Sequence, residues 1–339
     1  MTQVENNPLA QRLATFDNFS EADQEIKWEL FEYARESCPV SYTPTHGGVW
    51  LITRYEDVRQ VLEDWETFSS TQSSQVPLPP GVRLCPLDMD PPVQTGMRQL
   101  LNPLLSRGAI AKYEPEMRRA AAERIDSFVD TGSCEILNDY AGPYIGKMLT
   151  RIVFEDMGPE ELARAQEIAT SIADDATPEL FFELFLLSAS YLARVTDKGV
   201  TGDGIVQRLI HGTINGRPLD EEEQIGTLTL LVLGGLDTSR AAIGNITYRM
   251  TQNPGVEDRL RDPSWVKRDF DEFLRLDSPV ASMCRVATRA VEVAGQLIRK
   301  GERVLVNFDS ANRDPEKFAN PTDLSLGEAR SGHAAFGMG

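Results

Sequence analysis

Leu228-Thr229-Leu230-Leu231-Val232-Leu233-Gly234-Gly235-Leu236-Asp237-Thr238-Ser239 lies in the middle of a helical pattern that runs from about Glu221 to Gln252. Leu228–Leu236 reads as apolar all round, which puts the segment inside a large core rather than on a surface. At 1.5 Å per residue the helix spans roughly 48 Å. Asp220 with Glu223 three residues on forms a capping-box pattern at its start, and Asn253-Pro254-Gly255 stops it.

Two features of this span need a physical reason. Gly234 and Gly235 each weaken a helix by about 1 kcal/mol relative to Ala. Asp237 and Thr238 set a carboxylate and a hydroxyl in apolar surroundings, at a cost on the order of a few kcal/mol unless something satisfies or uses them. Either the glycines form a packing notch, or they make a widened or kinked turn where a ligand approaches the backbone. Both readings stand at this point.

Outward from this helix, helical periodicity dominates. Glu21–Glu36, Tyr55–Leu62, Met117–Val129, Ile145–Phe154, Glu160–Ala173 and Val266–Leu276 read as helices, and Met97, Leu100, Leu101, Leu104 and Leu105 form an apolar stripe. Phe181–Leu187 is unusually apolar and is expected as a flexible lid. Val49–Ile52 reads as a strand, while Val291–Val293, Leu297-Ile298 and Val304–Val306, with Gly295 and Gly301 between, read as a small meander. Phe68–Pro92 is a long loop of the kind that is functional or mobile. No repeat, low-complexity block or Gly/Ser linker divides the chain, so residues 1–339 are expected as one domain.

Composition narrows the function classes. The 339 residues are 41% apolar and 25% charged, enough for a sizeable core. Thirty-four basic against 52 acidic residues leave a net charge of −18, which argues against nucleic acid or an anionic membrane as partner. No stretch has the pattern of a signal peptide or membrane span, so the cytoplasm is the expected location. Cys38, Cys85, Cys134 and Cys284 are scattered, with neither zinc-site nor disulfide-framework spacing.

Further candidates are charged. Glu272 and Arg275 lie i, i+3 on a helix, which in isolation is a solvated ion pair worth under about 1 kcal/mol. Arg98 follows Gln94 by four residues, Arg285 follows Arg275 by ten, and His333 precedes Ala334-Ala335-Phe336-Gly337. Each alone is an ordinary surface group, although an Arg fork suits a carboxylate.

Taken in order, Gly234-Gly235-Leu236-Asp237-Thr238, Glu272-Phe273-Leu274-Arg275 and Phe336-Gly337-Met338-Gly339 resemble the cytochrome P450 family. Trp50–Val58, Phe68-Ser69-Ser70 and Asn312-Arg313-Asp314-Pro315 with Phe318 extend the resemblance from about residue 25 to the last residue. It implies a mainly α fold with small peripheral β-sheets. It also implies a haem monooxygenase that inserts one oxygen atom into a small, mostly apolar substrate. Electrons are expected from a separate ferredoxin and ferredoxin reductase, because no flavin or iron–sulfur motif is present.

By the same resemblance, Asp237 relays protons from solvent and Thr238 holds the hydrogen bonds that steer O–O cleavage. Gly234 and Gly235 leave room above the haem. Arg98, Arg285 and His333 meet the haem carboxylates, with Gln94 standing where the family commonly has His. Glu272 and Arg275 take a structural role. The family usually has an Arg about five residues before the His as third partner of the Glu-x-x-Arg pair, whereas Arg330 sits three before His333, which puts that partner of Glu272 and Arg275 in question. Val76–Pro86 and Phe181–Leu187 are expected to contribute to the substrate pocket, and Arg107, Lys112, Arg118 and Arg119 to dock an acidic electron donor.

The family's haem loop reads Phe-x-x-Gly-x-His-x-Cys-x-Gly, of which this sequence supplies Phe336 and Gly339. The cysteine that ligates iron falls roughly four residues further on. The expectation is therefore a chain truncated just before that ligand, with the C-terminal part of the fold missing. Haem b would lack its iron ligand, no residue here would ligate metal, and the chain as it stands would be inactive. The alternative is a haem-free relative that serves another enzyme as an accessory or binding protein.

Overall fold

The long helix forms over Glu221–Gln252, 32 residues, in the computed structural model, which describes residues 7–154, 157–199, 202–328 and 330–338. Of residues 265–268 the backbone alone is described. The capping box closes reciprocally: the Glu223 amide donates to Asp220 Oδ1 at 2.8 Å, and the Asp220 amide donates to Glu223 Oε2 at 3.0 Å. Arg217 grips the same Glu223 carboxylate with both arms, at 2.6 and 2.7 Å, and holds its pKa down. That fixes a carboxylate at the positive end of the helix, where it is most stabilising.

Contacts gather the chain into two compact units, Met1–Pro77 with Tyr248–Gly339, and Leu78–Thr247. The first unit holds the main sheet, in the order β1-β2-β9-β6-β3. Its strands are β1 (Val40–Thr43), β2 (Val49–Ile52), β3 (Phe68–Ser69), β6 (Ser282–Ala287) and β9 (Arg303–Asn307). β9 runs parallel to β2 and antiparallel to β6. Val304, Leu305 and Val306 are fully buried, the continuous apolar run of a strand covered on both faces. The expected three-strand meander therefore divides. β7 (Val291–Val293) and β8 (Gln296–Ile298) make a hairpin whose turn, Ala294-Gly295, has φ of 45° and 80°, and β9 leaves to centre the main sheet. Two positive φ values in a two-residue turn are what the twist of a hairpin favours.

The second unit is almost wholly helical, with one short hairpin of β4 (Thr213–Ile214) and β5 (Arg217–Pro218). Several expectations are corrected here. Phe181–Leu187 is helical, inside the 21-residue helix Pro178–Lys198, with Phe181 and Leu184 buried and Phe182 and Leu186 exposed. Glycine 199, at φ 75°, ends that helix. The long helix is unbroken at Gly234-Gly235, so the glycines do not mark a kink. Nor is it buried all round, since Leu230, Leu231 and Leu233 are half-buried and Gly234 is exposed. In the first unit, Glu21–Glu36 breaks at Ile26 into Glu21–Glu25 and Lys27–Ser37.

Candidate functional site

The glycine pair divides the two readings between its members. A Cβ at Gly235 would lie 2.7 Å from Leu149 Cδ1, so this glycine is a notch for the helix Gly142–Ile152. A Cβ at Gly234 would meet nothing within 4 Å. Gly234, Leu230, Leu231 and Thr238 share one side of the helix, because residues three, four and seven apart align. An apolar cavity of about 490 Å³ opens against this side, walled by Leu230, Leu231, Gly234, Gly235 and Ser239, by Tyr144, Ile145, Met148, Leu149, Ile152 and Val153, and by Leu105, Ile110 and Met117. Neither Val76–Pro86 nor Phe181–Leu187 lines it.

Thr238 Oγ1 donates to the Gly234 carbonyl at 2.5 Å. A hydroxyl has one proton and two lone pairs, so with its proton committed to the backbone Thr238 presents an acceptor. Asp237 is half-buried, and burial pushes its pKa up; Arg240 works against that rise and Asp174 with it.

Arg98 and Gln94 stand i, i+4 on the helix Val93–Leu105. Arg98 is exposed and has no ion pair among the described residues. Around the expected docking residues, the carboxylates of helix Glu114–Asp126 neutralise much of the charge: Glu114 pairs with Arg118 at 2.8 Å, Glu116 with Arg151 at 3.1 Å and Glu123 with Lys147 at 2.8 Å. Among the described residues Arg107, Lys112 and Arg119 make no ion pair, although Arg119 acts on the Glu123 carboxylate through space and Lys112 lies 4.9 Å from the Tyr113 ring.

In the unit that carries the main sheet, Glu272 and Arg275 are buried, which corrects the solvated surface pair. Arg275 Nε and Nη2 donate to the two carboxylate oxygens of Glu272 at 2.8 and 2.9 Å. Arg275 also donates to the carbonyls of Asn312, Pro321 and Asp323, and its guanidinium lies 5.1 Å from the Phe318 ring. Arg330 reaches Glu272 Oε1 at 3.4 Å, so its shifted sequence position still delivers the third partner. These contacts fix the segment that carries His333. Its two anchors gave no signal of that role in the sequence: Asn312 Oδ1 accepts from the Ala334 amide at 2.6 Å, and Tyr55 Oη donates to the Gly332 carbonyl at 2.5 Å.

His333 is half-buried, and burial holds its pKa down. Its Nδ1 accepts from the Ala335 amide at 3.3 Å, so the neutral ring carries its proton on Nε2 and presents a donor without charge. Phe336 is 78% exposed. Arg285, on β6, is half-buried and donates to the Cys284 carbonyl at 2.7 Å. Gly339 lies outside the described residues.

The donor set can be tested against haem. An apolar wall with an open backbone side at Gly234 fits a flat apolar ring. Arg98, Arg285 and the His333 Nε2–H are donors of the kind that carboxylates bind. The thiols do not fit an iron ligand, which must be a thiolate. Burial pushes Cys85 up to about 12 and Cys284 to about 11, and raises Cys38 as well, while Cys134 is exposed on the surface. Among the described residues no cluster of His, Cys, Asp and Glu could hold a metal ion.

A long helix with an acid–alcohol turn, a buried Glu-x-x-Arg lock and a small mixed sheet define a class of helical oxygenase fold. The family model for cytochrome P450 matches residues 266–325. A probable cytochrome P450 127A1 of Sinorhizobium fredii is 32% identical over 313 residues, covering 89% of this chain and 74% of that protein. A putative cytochrome P450 YjiB of Bacillus subtilis is 27% identical over 98% of this chain and 85% of its own. Among solved structures, a carbohydrate-active P450 superposes with a TM-score of 0.81 at 26% identity, covering 91% of this chain and 82% of that one. CYP108D1 from Novosphingobium aromaticivorans gives 0.81 at 22% identity, over 97% and 84%, and shows the fold. The chain belongs to the cytochrome P450 family, whose general enzyme class is the haem monooxygenase. Among the described residues no helix is long and apolar enough to cross a membrane.

Proposed function

We propose that this protein is a cytoplasmic haem b monooxygenase that hydroxylates a small, mostly apolar molecule, residues 1–339 forming part or all of one catalytic domain. The observation that carries the reading is a single turn of the long helix. It combines an open backbone side at Gly234, an acceptor hydroxyl at Thr238 and a half-buried acid at Asp237.

Haem, when bound, supplies dioxygen activation; the protein residues supply binding and proton handling. Arg98, Arg285 and His333 would hold its carboxylates, with Gln94 adding an uncharged hydrogen bond. Glu272 and Arg275 act structurally, through the segment of His333 and Phe336. Asp237, its charged form disfavoured by burial, takes up a proton from solvent and passes it on. Thr238 accepts a hydrogen bond and keeps a water molecule or hydroxyl donor oriented, because its own proton stays on the Gly234 carbonyl. The electron donor would be a ferredoxin with its reductase, and Arg107 and Lys112, which make no ion pair among the described residues, are the stronger docking candidates, ahead of Arg118 and Arg119.

Two experiments test the reading. In the protein expressed from its complete reading frame, reduction and carbon monoxide should produce the family's long-wavelength absorption band; its absence from folded protein refutes haem-thiolate chemistry. Thr238→Ala should lower the ratio of product formed to oxygen consumed, whereas an unchanged ratio removes Thr238 from the mechanism.

A further inference from the structure

Beside Asp237, on the flank of the long helix away from Gly235, lies a polar cleft of about 360 Å³. Its polar groups include Asn138 of the π-turn Ile136–Ala141, Gln166, Glu167 and Thr170 of helix Pro159–Asp174, and Asp237 and Arg240 of the long helix, while Leu137, Pro143, Ala169 and Leu236 supply the apolar part of the wall. At ~30 Å³ per molecule, such a space takes roughly ten waters.

The cleft is built rather than incidental. Glu135 accepts from the amides of Leu137 and Asn138 at 3.1 and 2.6 Å, which fixes the π-turn. A Cβ at Gly244 would lie 2.6 Å from Leu137 Cδ2, so a glycine at 244 is what lets the π-turn approach the long helix. One turn back, Arg240 Nη2 donates to Asn138 Oδ1 at 3.0 Å and Nε donates to the Leu137 carbonyl at 3.4 Å. Both partners are neutral, and no carboxylate pairs with this guanidinium among the described residues. A positive charge is therefore held at the cleft wall by neutral partners, within electrostatic reach of Asp237. Single-turn π segments of this kind recur at functional sites.

We propose that Arg240, latched to the π-turn, is a positioning residue that keeps Asp237 able to ionise at the head of this cleft, the route by which protons reach it from solvent. The inference rests on the proton-handling role given to Asp237 above. The charged groups that face Asp237 are Arg240 from its own helix and Glu167 and Asp174 from helix Pro159–Asp174; the π-turn and helix Gly142–Ile152 bring no titratable side chain to the cleft. Burial and Asp174 oppose ionisation of Asp237, the Glu167 carboxylate at the cleft wall is paired with Arg164, and Arg240 is the cation that favours ionisation.

The test is a carboxyl ¹³C-NMR titration of aspartate-labelled protein, with the Asp237 signal assigned by its loss in Asp237→Asn. Arg240→Gln should raise the Asp237 midpoint by roughly half to one pH unit, the effect of one charge across a hydrated gap. Arg240→Lys, which keeps the charge, should stay close to the wild type. An unmoved midpoint in Arg240→Gln, or an equal shift in Arg240→Lys, overturns the proposal. Should Arg240→Gln fail to fold, Asn138→Ala carries the test, because it frees the guanidinium without altering the long helix: an upward shift supports the latch and no shift overturns it. The parent reading fails separately, if Asp237→Asn turns over substrate with unchanged coupling whatever the Arg240 variants do.

Discussion

Replacing Arg275 with Met should destabilise the sheet-bearing unit by about 3–5 kcal/mol, the loss seen when one partner of a buried ion pair is removed. The structure shows where that comes from. Glu272 is 4% exposed, and without Arg275 it keeps only the Ser325 amide at 3.0 Å and Arg330 at 3.4 Å. The carbonyls of Asn312, Pro321 and Asp323 lose a charged donor together; the buried one at Asn312, left unpaired, costs about 1–3 kcal/mol before relaxation, and the other two cost less because water reaches them. Lysine restores the charge but not the fork, so Arg275→Lys should recover part of the loss at most. All four tryptophans (Trp28, Trp50, Trp65 and Trp265) lie in this unit, so tryptophan emission during urea unfolding reports on it selectively. With m near 2 kcal/mol/M, the midpoint should fall by roughly 1.5–2.5 M. Because Asn312 links Arg275 to the Ala334 amide, that amide should also exchange its hydrogen faster. A midpoint within roughly 0.3 M of the wild type, with Ala334 still protected, would refute the claim that this pair locks the segment.

Three further outcomes follow. Gly234→Ala should stabilise the second unit by up to about 1 kcal/mol, since alanine is the better helix former and has open space there, whereas Gly235→Ala should give no gain or lose about 1 kcal/mol against Leu149; far-ultraviolet dichroism during denaturation distinguishes them. His333 has a depressed folded-state pKa, so its contribution is present above its unfolded value near 6.5 and is lost as pH falls through the folded value; between pH 7 and 5 the wild type should lose more stability than His333→Gln, and parallel losses would remove His333 as a source. Arg98→Gln should speed haem loss to an acceptor apoprotein, and Gln94→His should slow it, because a second donor able to carry charge is added on the same helical face; equal loss rates would exclude this helix from the carboxylate contacts.

How far the sequence could be read depended on whether a residue's neighbours were local. The Glu221–Gln252 helix was legible to its ends because its cap, Asp220 with Glu223, and its stop at Asn253-Pro254 are written within a few residues of it. The apolar run Phe181–Leu187 did not show its two faces in the sequence: Phe181 and Leu184 turn to the core, while Phe182 and Leu186, four apart, share the exposed side of one helix. The Glu272–Arg275 pair has the spacing of a surface pair, and its burial arises from carbonyls at 312, 321 and 323, which no local rule connects to it. Arg330 shows the same limit from the other direction: a two-residue shift in spacing put this partner in question, yet its long side chain reaches Glu272 Oε1 at 3.4 Å.

The acid–alcohol turn shows why spacing alone could not separate its members. Gly234 and Gly235 are adjacent and chemically identical, but successive positions on a helix are about 100° apart, so one meets Leu149 and its neighbour meets open space. Asp237 and Thr238 part in the same way, with the acid at a polar cleft beside Arg240 and the hydroxyl turned back to the Gly234 carbonyl. The acid and the acceptor hydroxyl thus lie on two flanks of one turn. The separation follows from helix geometry: Thr238 sits one turn after Gly234, so its hydroxyl reaches that carbonyl, while Asp237, one position earlier and about 100° round, faces the cleft.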